Sequence, residues 1–255
     1  MWKTIIDLLF PIHCLGCGQE GKFICSSCFK KILINKKYYF DKTDILKKTI
    51  IVGYNKDRLL KQAIYRYKYD FIKDLAKPLG QLMVNKLLED IKKKRDLEKF
   101  ILIPIPLHVK RLRWRGFNQA ELLAQVISQE LNIPVINNLL IKIKYTLPQA
   151  KIPKASQRRQ NIHNAFDLRA PKRPCLRKMD RHGLKEQHPS QYSAEVVRER
   201  PCLVRFLKGT ASDYSNKTFI LVDDISTTSA TLKEAARALN NLKPKQIWGL
   251  VLTKD

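Results

Sequence analysis

Phe219-Ile220-Leu221-Val222-Asp223-Asp224-Ile225-Ser226-Thr227-Thr228-Ser229-Ala230-Thr231-Leu232 is the stretch on which the fold turns. Its first four residues are apolar, the run expected of a short strand buried on both faces of a parallel sheet. Two aspartates stand at the carboxyl end, followed by small hydroxylated residues, and an Ala/Leu-rich helix is expected from near Thr231 to about Leu242. A strand, a tight loop and a helix start, in that order, make an anion site. The loop N–H groups and the helix N-terminus point at the anion, and the helix dipole favours negative charge. Thr227, Thr228, Ser229 and Thr231 add hydroxyl donors. Asp223 and Asp224 would repel phosphate; they suit ribose hydroxyls or a hydrated Mg2+. The plain alternative is a buried strand running into a helix cap, with Thr231 or Ser229 as N-cap.

Outward from this stretch, the chain of 255 residues is long enough for a full core and one to two domains. Its hydrophobic share of 44% and charged share of 28% are those of a globular chain. A formal net charge of +26 favours polyanionic partners: nucleic acid, phosphorylated ligands or an anionic membrane surface. A Lys-rich solvated surface is the alternative. No apolar run reaches the ~18 residues of a membrane span. Residues 1–11 are too short and are broken by Asp7, so they read as an amphipathic helix, and not as a signal peptide. A cytoplasmic chain with reduced or metal-bound cysteines is expected.

Those cysteines fall in two knuckles, Cys14-x-x-Cys17 and Cys25-x-x-Cys28, with Gly16, Gly18 and Gly21 permitting tight turns. Four thiolates around one ion is the set of structural Zn2+, with no ligand position left open for catalysis. His13 is read as a bystander. Further on, 49–54 reads as a strand, and 57–69 and 74–91 as helices. Tyr65, Tyr67 and Tyr69 alternate with basic residues. They either stack on bases or belong to a core helix with snorkelling lysines, and the second reading is preferred. After a charged linker at 92–99, a second clear strand at 100–106 ends in Lys110, Arg111, Arg113, Arg115 and Gly116. The carboxyl end of a strand is where open α/β sheets bind ligands, and guanidinium forks there match the oxygens of a pyrophosphate. A helix from Asn118 to about Gln129 follows.

The 219–232 stretch resembles the 5-phosphoribosyl 1-pyrophosphate (PRPP) loop of type I phosphoribosyltransferases, an apolar strand followed by Asp-Asp and Thr-Thr-Gly-Ala-Thr. The resemblance implies that Asp223 and Asp224 hold the ribose hydroxyls, and that Thr227, Thr228, Ser229, Ala230 and Thr231 cradle the 5′-phosphate. Ser229 departs from the usual Gly, and a Cβ there strains the turn or crowds the phosphate. A second resemblance is more specific. Pro104-x-Pro106, Arg111 and Arg115-Gly116-Phe117-Asn118-Gln119, with Thr146-Leu147-Pro148-Gln149 and Arg158-x-x-Asn161-Ile162-x-Asn164-Ala165-Phe166, look like the ComF family. Its members join a zinc ribbon to a phosphoribosyltransferase-like domain and function in natural DNA uptake. The last two blocks resemble that family's mobile loop, with Asn164 in place of its Gly.

These readings imply an α/β fold: a phosphoribosyltransferase-type parallel sheet with helices on both faces, preceded by a zinc ribbon. Residues 1–35 would be helix and ribbon, and 36–255 the main domain. Strands are expected near 101–105, 134–137, 218–222 and 246–252. The implied function is a competence factor that binds single-stranded DNA and a phosphoribosyl ligand such as PRPP, with a DNA-uptake helicase or motor as a further partner. One rival is an active phosphoribosyltransferase in which Mg2+ and Arg111 or Arg115 stabilise the leaving pyrophosphate. Another is a degraded, inactive family member.

Residues 170–211 stand apart. They contain no Ile and no Asn, and Arg replaces Lys as the main cation. Pro171, Pro174, Pro189 and Pro201 exclude a long helix. They read as a disordered in-frame insertion looped out between two strands, since loop closure grows costly only slowly with length. A basic arm for nucleic acid is the functional alternative.

Overall fold

The computed structural model describes residues 11–35, 38–40, 45–91, 94–147, 152, 154–168 and 214–254. The expected N-terminal helix and the 170–211 insertion lie outside them. The chain divides into a unit of Met1–Arg169 with Ala211–Asp255 and a unit of Ala170–Thr210; the account below concerns the first.

The sheet has five strands in the order β1-β2-β7-β6-β3. These are β1 (Tyr38–Phe40), β2 (Lys48–Ile51), β3 (Phe100–Pro104), β6 (Thr218–Ser226) and β7 (Gln246–Lys254). Strands β2, β7, β6 and β3 run parallel, and β1 closes the edge antiparallel to β2. Parallel neighbours need crossovers, and the helices supply them. On the chain between β2 and β3 lie α2 (Arg58–Tyr69) and α3 (Ala76–Asp90), after the short α1 (Ser26–Lys31) of the ribbon. Between β3 and β6 come α4 (Val109–Arg115), α5 (Gln119–Leu131), β4 (Leu140–Lys142), α6 (Ala155–Ile162) and β5 (Phe166–Leu168). Between β6 and β7 runs α7 (Ala230–Asn240). Strands β4 and β5 pair antiparallel as a separate ribbon.

Because strand side chains alternate, each central strand feeds two cores. Ile220, Val222, Leu250, Leu252, Ile50 and Leu102 join the main cluster with Leu60, Ile64 and Tyr67 of α2, Met83 and Leu87 of α3, and Leu123 and Ile127 of α5. Phe219, Leu221, Ile101, Ile103 and Val251 are buried on the opposite face. There α7 brings Leu232, Ala235, Ala236 and Leu239 inward, and Gly249 has no room for a Cβ because Leu232 Cδ1 would lie 2.9 Å away. Helices thus cover both faces, as expected.

Helix starts follow local chemistry. Asp57 caps α2 through Leu60 N–H at 2.9 Å, and Asn118 caps α5 through Ala120 N–H at 3.2 Å. The expected strand at 134–137 is not formed. It reduces to a single parallel bridge between Leu102 and Val135, with Leu102 N–H on the Pro134 carbonyl at 2.9 Å and Ile136 N–H on the Leu102 carbonyl at 3.0 Å. Pro134 has no N–H to extend the ladder. No described helix is long and apolar enough to cross a membrane.

Candidate functional site

The cysteine ribbon and a cleft at the carboxyl ends of β3 and β6 hold the chemistry. In the ribbon, Gly18 (φ 78°) and Gly21 (φ 99°) take left-handed turns that bring the knuckles round. The four sulfurs of Cys14, Cys17, Cys25 and Cys28 lie within 4.8 Å of one another. The Cys17–Cys25 sulfur separation is 3.7 Å, close to the ~3.8 Å edge of a tetrahedron whose metal–sulfur bonds are ~2.3 Å. Cys25 N–H donates to Cys14 Sγ at 3.3 Å and Cys28 N–H to Cys25 Sγ at 3.4 Å. Burial opposes ionisation of Cys14, but backbone donors from Cys25, Gly16 and Cys17 outweigh it and bring the thiol down to about 6. The four cysteines are positioned to hold a metal ion. His13 is not of the set; its Nε2 lies 3.7 Å from Glu20.

The cleft is about 840 Å³ and is lined from α2, α4, the start of α5, β4 and the β6–α7 turn. Every sequence-derived residue of this site except Thr228 lines it: Arg111, Arg115, Asp223, Asp224, Thr227, Ser229, Ala230 and Thr231. Thr228 has its Oγ1 buried without a partner. Each carboxylate accepts from the backbone of the next residue: Asp223 from Asp224 N–H at 2.9 Å, and Asp224 from Ile225 N–H at 2.7 Å. Lys68 supplies the counter-charge, with Nζ 3.0 Å from Asp224 Oδ1. Burial works against the Lys68 ammonium, but Asp224 and then Asp223 hold its pKa above the ordinary value. Burial and the neighbouring Asp224 charge push Asp223 up to about 7. Asp223 is therefore about half protonated at neutral pH and ionises fully as pH rises.

Three further cations line the cleft. Arg111 donates to the Thr146 carbonyl at 2.7 Å, which ties α4 to the loop after β4. Arg115 donates to the Gln119 side chain, while its Nε is buried without a partner and burial lowers its pKa. Burial, then Arg111, brings Lys142 down to about 8. Lys68 and Lys142 were not singled out from the sequence as site residues; their only signal is a basic residue on a helix or strand whose register the fold must supply. The Asn161 side chain clasps both the N–H and the carbonyl of Leu147, at 3.2 and 3.0 Å, so the two blocks read as one loop do meet. Asn164 takes the left-handed conformation (φ 51°), as its replacement of a glycine requires, and its N–H bonds Glu234 of α7 at 2.8 Å.

Ser229 is the N-cap residue of α7 but makes no capping bond; its hydroxyl pairs with Ser226 Oγ at 3.2 Å. Its φ of 57° is left-handed, which costs a residue with a Cβ about 1–2 kcal/mol. Glycine's larger chain entropy returns part of that. Ser229→Gly is expected to stabilise the fold by about 0.5–1 kcal/mol in denaturant unfolding, and a loss of stability would show that the turn is unstrained.

Comparison with known proteins agrees with this geometry. A phosphoribosyl transferase domain model matches residues 175–254. The chain is 28% identical over 247 residues to competence protein F of Haemophilus influenzae, covering 94% of this chain and 84% of that protein. It is 26% identical over 195 residues to the DNA utilization protein YhgH of Escherichia coli O157:H7, covering 74% and 66%. Likeness to these two proteins over most of the chain, together with the phosphoribosyl transferase match, supports the resemblance to the ComF family.

Proposed function

We propose that the chain is a cytoplasmic competence factor in DNA uptake, whose cleft binds a phosphoribosyl ligand such as PRPP and whose basic surface takes single-stranded DNA. One observation carries the ligand reading: an acidic pair at the end of β6, a hydroxyl-lined turn and the tip of α7 line the same cleft as Arg111, Arg115 and Lys142. Asp223 and Asp224 accept from ribose hydroxyls. Residues Thr227 to Thr231 receive the 5′-phosphate on the α7 N-terminus. Arg111, Arg115 and Lys142 offset the pyrophosphate charge. Asp223 and Asp224 would also suit a hydrated Mg2+ brought in with the ligand, which would supply positive charge against its phosphates. In the ribbon, Cys14, Cys17, Cys25 and Cys28 hold structural Zn2+. The names of the relatives support the DNA side, with a net charge of +26 as its physical basis. A DNA-uptake helicase or motor is the expected protein partner.

Calorimetric titration with PRPP and Mg2+ tests the site. One-to-one binding that needs the divalent ion and disappears in Asp224→Ala is expected; no heat from folded wild type would overturn the ligand reading and favour a degraded site. The presence of Arg115 and Lys142 in the same cleft as the acidic pair also supports an active phosphoribosyltransferase. There positioning and charge stabilisation would expel pyrophosphate, and pyrophosphate release screened against bases and amines separates that activity from binding alone.

A further inference from the structure

Among the described residues, the exposed aromatic side chains are not scattered. Tyr65, Tyr69, Trp114 and Tyr145 are 58%, 45%, 64% and 56% exposed, and all four line the mouth of the cleft. A lone exposed ring needs no explanation, but four around one opening do. Each is held in place. Tyr65 and Tyr69 sit one turn apart on α2 with centroids at 5.0 Å; Trp114 meets Phe71 edge-on at 5.1 Å; Tyr145 meets His108 edge-on at 5.3 Å. Phe71 itself has a left-handed backbone (φ 56°).

Between the rings stand cations. Lys61 and Lys68 of α2, Lys110 and Arg111 of α4 and Lys142 of β4 line the same opening. Arg115 lies 5.9 Å from the Trp114 centroid, and Lys110 and Arg111 lie 5.7 and 5.8 Å from that of Tyr145. A protein partner would want the patch centre depleted of charge. Interleaved rings and cations instead match a chain of unstacked bases on a phosphate backbone. A duplex presents no base faces to such rings.

We infer that this rim is the groove for single-stranded nucleic acid: bases stack on Tyr65, Tyr69, Trp114 and Tyr145, while the lysines and arginines between them neutralise phosphates. The inference deepens the DNA half of the proposed function by assigning its site to the mouth of the phosphoribosyl cleft. It also divides the tyrosine series: Tyr67 is wholly buried, with its hydroxyl on the Gln119 carbonyl at 2.9 Å, whereas Tyr65 and Tyr69 are free to stack.

The test is fluorescence anisotropy of a labelled single-stranded thymidine oligonucleotide with the full chain across a salt series. Tyr65→Ala with Tyr69→Ala, and separately Trp114→Ala, should each weaken binding by about tenfold or more while leaving the slope of log affinity against log salt unchanged. Tyr65→Phe with Tyr69→Phe should restore it, since stacking needs no hydroxyl. Lys61→Ala with Lys110→Ala should instead flatten the slope by about 1.4, the share of two phosphate contacts. Wild type that binds, with aromatic variants that bind as well or lose single strand and duplex equally, would overturn the groove and leave the DNA reading standing. Wild type with no affinity at low salt would overturn both.

Discussion

Asp223→Asn should give a chain that is more stable than wild type above neutral pH and binds PRPP with Mg2+ at least about tenfold more weakly. The two carboxylates are adjacent at the end of β6, and Lys68 pairs directly with only one of them, Asp224. Asp223 is left with burial and a like charge, and titrates at about 7 against an ordinary 3.8. Below pH 4 it is protonated both folded and unfolded, so it contributes nothing. Between 4 and 7 the unfolded carboxyl ionises while the native one keeps its proton, so native stability falls. Above 7 the loss is complete and constant. Three pH units correspond to about 4 kcal/mol as a ceiling. Asp223 keeps some solvent access, so about 2 kcal/mol is the expected gain for the amide.

The advantage of Asp223→Asn should therefore be near zero at pH 4, grow to pH 7 and stay flat beyond. Urea unfolding at pH 4, 6 and 8 measures it, and equal stability of the two proteins at pH 8 would refute the origin given for the shift. Affinity for PRPP with Mg2+ should meanwhile fall at least about tenfold, because one ribose hydroxyl loses a charge-assisted acceptor. Asp224→Asn is the contrast. It strands the Lys68 ammonium, whose side chain is only 24% exposed, and should be less stable than Asp223→Asn.

What the chain reveals before folding divides by range. The strand at 219–222, its acidic end and the helix after it follow from contiguous residues, and so does the position of Ser229 where a glycine is wanted. The paired knuckles likewise announce the sulfur cluster. Pro134 shows why the expected strand at 134–137 failed: apolar content suggests a strand, but the missing N–H limits it to one bridge. The short α4 passed as a basic run because all its residues are half-buried or exposed and leave no apolar stripe; Gly116, left-handed at φ 79°, ends it. Lys68 and Asp224 are 156 residues apart, and no local pattern predicts that α2 lays a lysine on the end of β6. The same holds for the aromatic rim, whose four rings come from α2, α4 and the loop after β4. Sequence showed tyrosines among lysines; only the helix phase separates the buried Tyr67 from its neighbours.

Removing the ribbon metal should unfold more than the ribbon. Cys14, Ile24, Cys25, Cys28 and Ile32 are part of the main core, alongside Leu60 and Ile64 of α2. Gly16 packs so closely that a Cβ there would lie 2.8 Å from Cys28 Sγ and 3.3 Å from Leu59. A module of this size has too little apolar area to hold its own turns, so the metal–thiolate bonds must do it. Without them nothing ties the four cysteine sulfurs to one another, the knuckles open, and the apolar side chains that α2 packs against lose their backing. Zn2+ should be present at one per chain by elemental analysis. Cys17→Ala, which removes the exposed ligand and so leaves no core cavity, should lose that zinc. A loss of at least about 3 kcal/mol of stability should follow, well below the apparent 10–16 kcal/mol of isolated zinc modules because the core holds part of the ribbon. Cleft variants such as Asp223→Asn should keep their zinc. Were the cysteines disulfide-bonded instead, the purified chain would contain no metal and would offer no reactive thiol among these four until reduced, and the zinc ribbon would have to be abandoned.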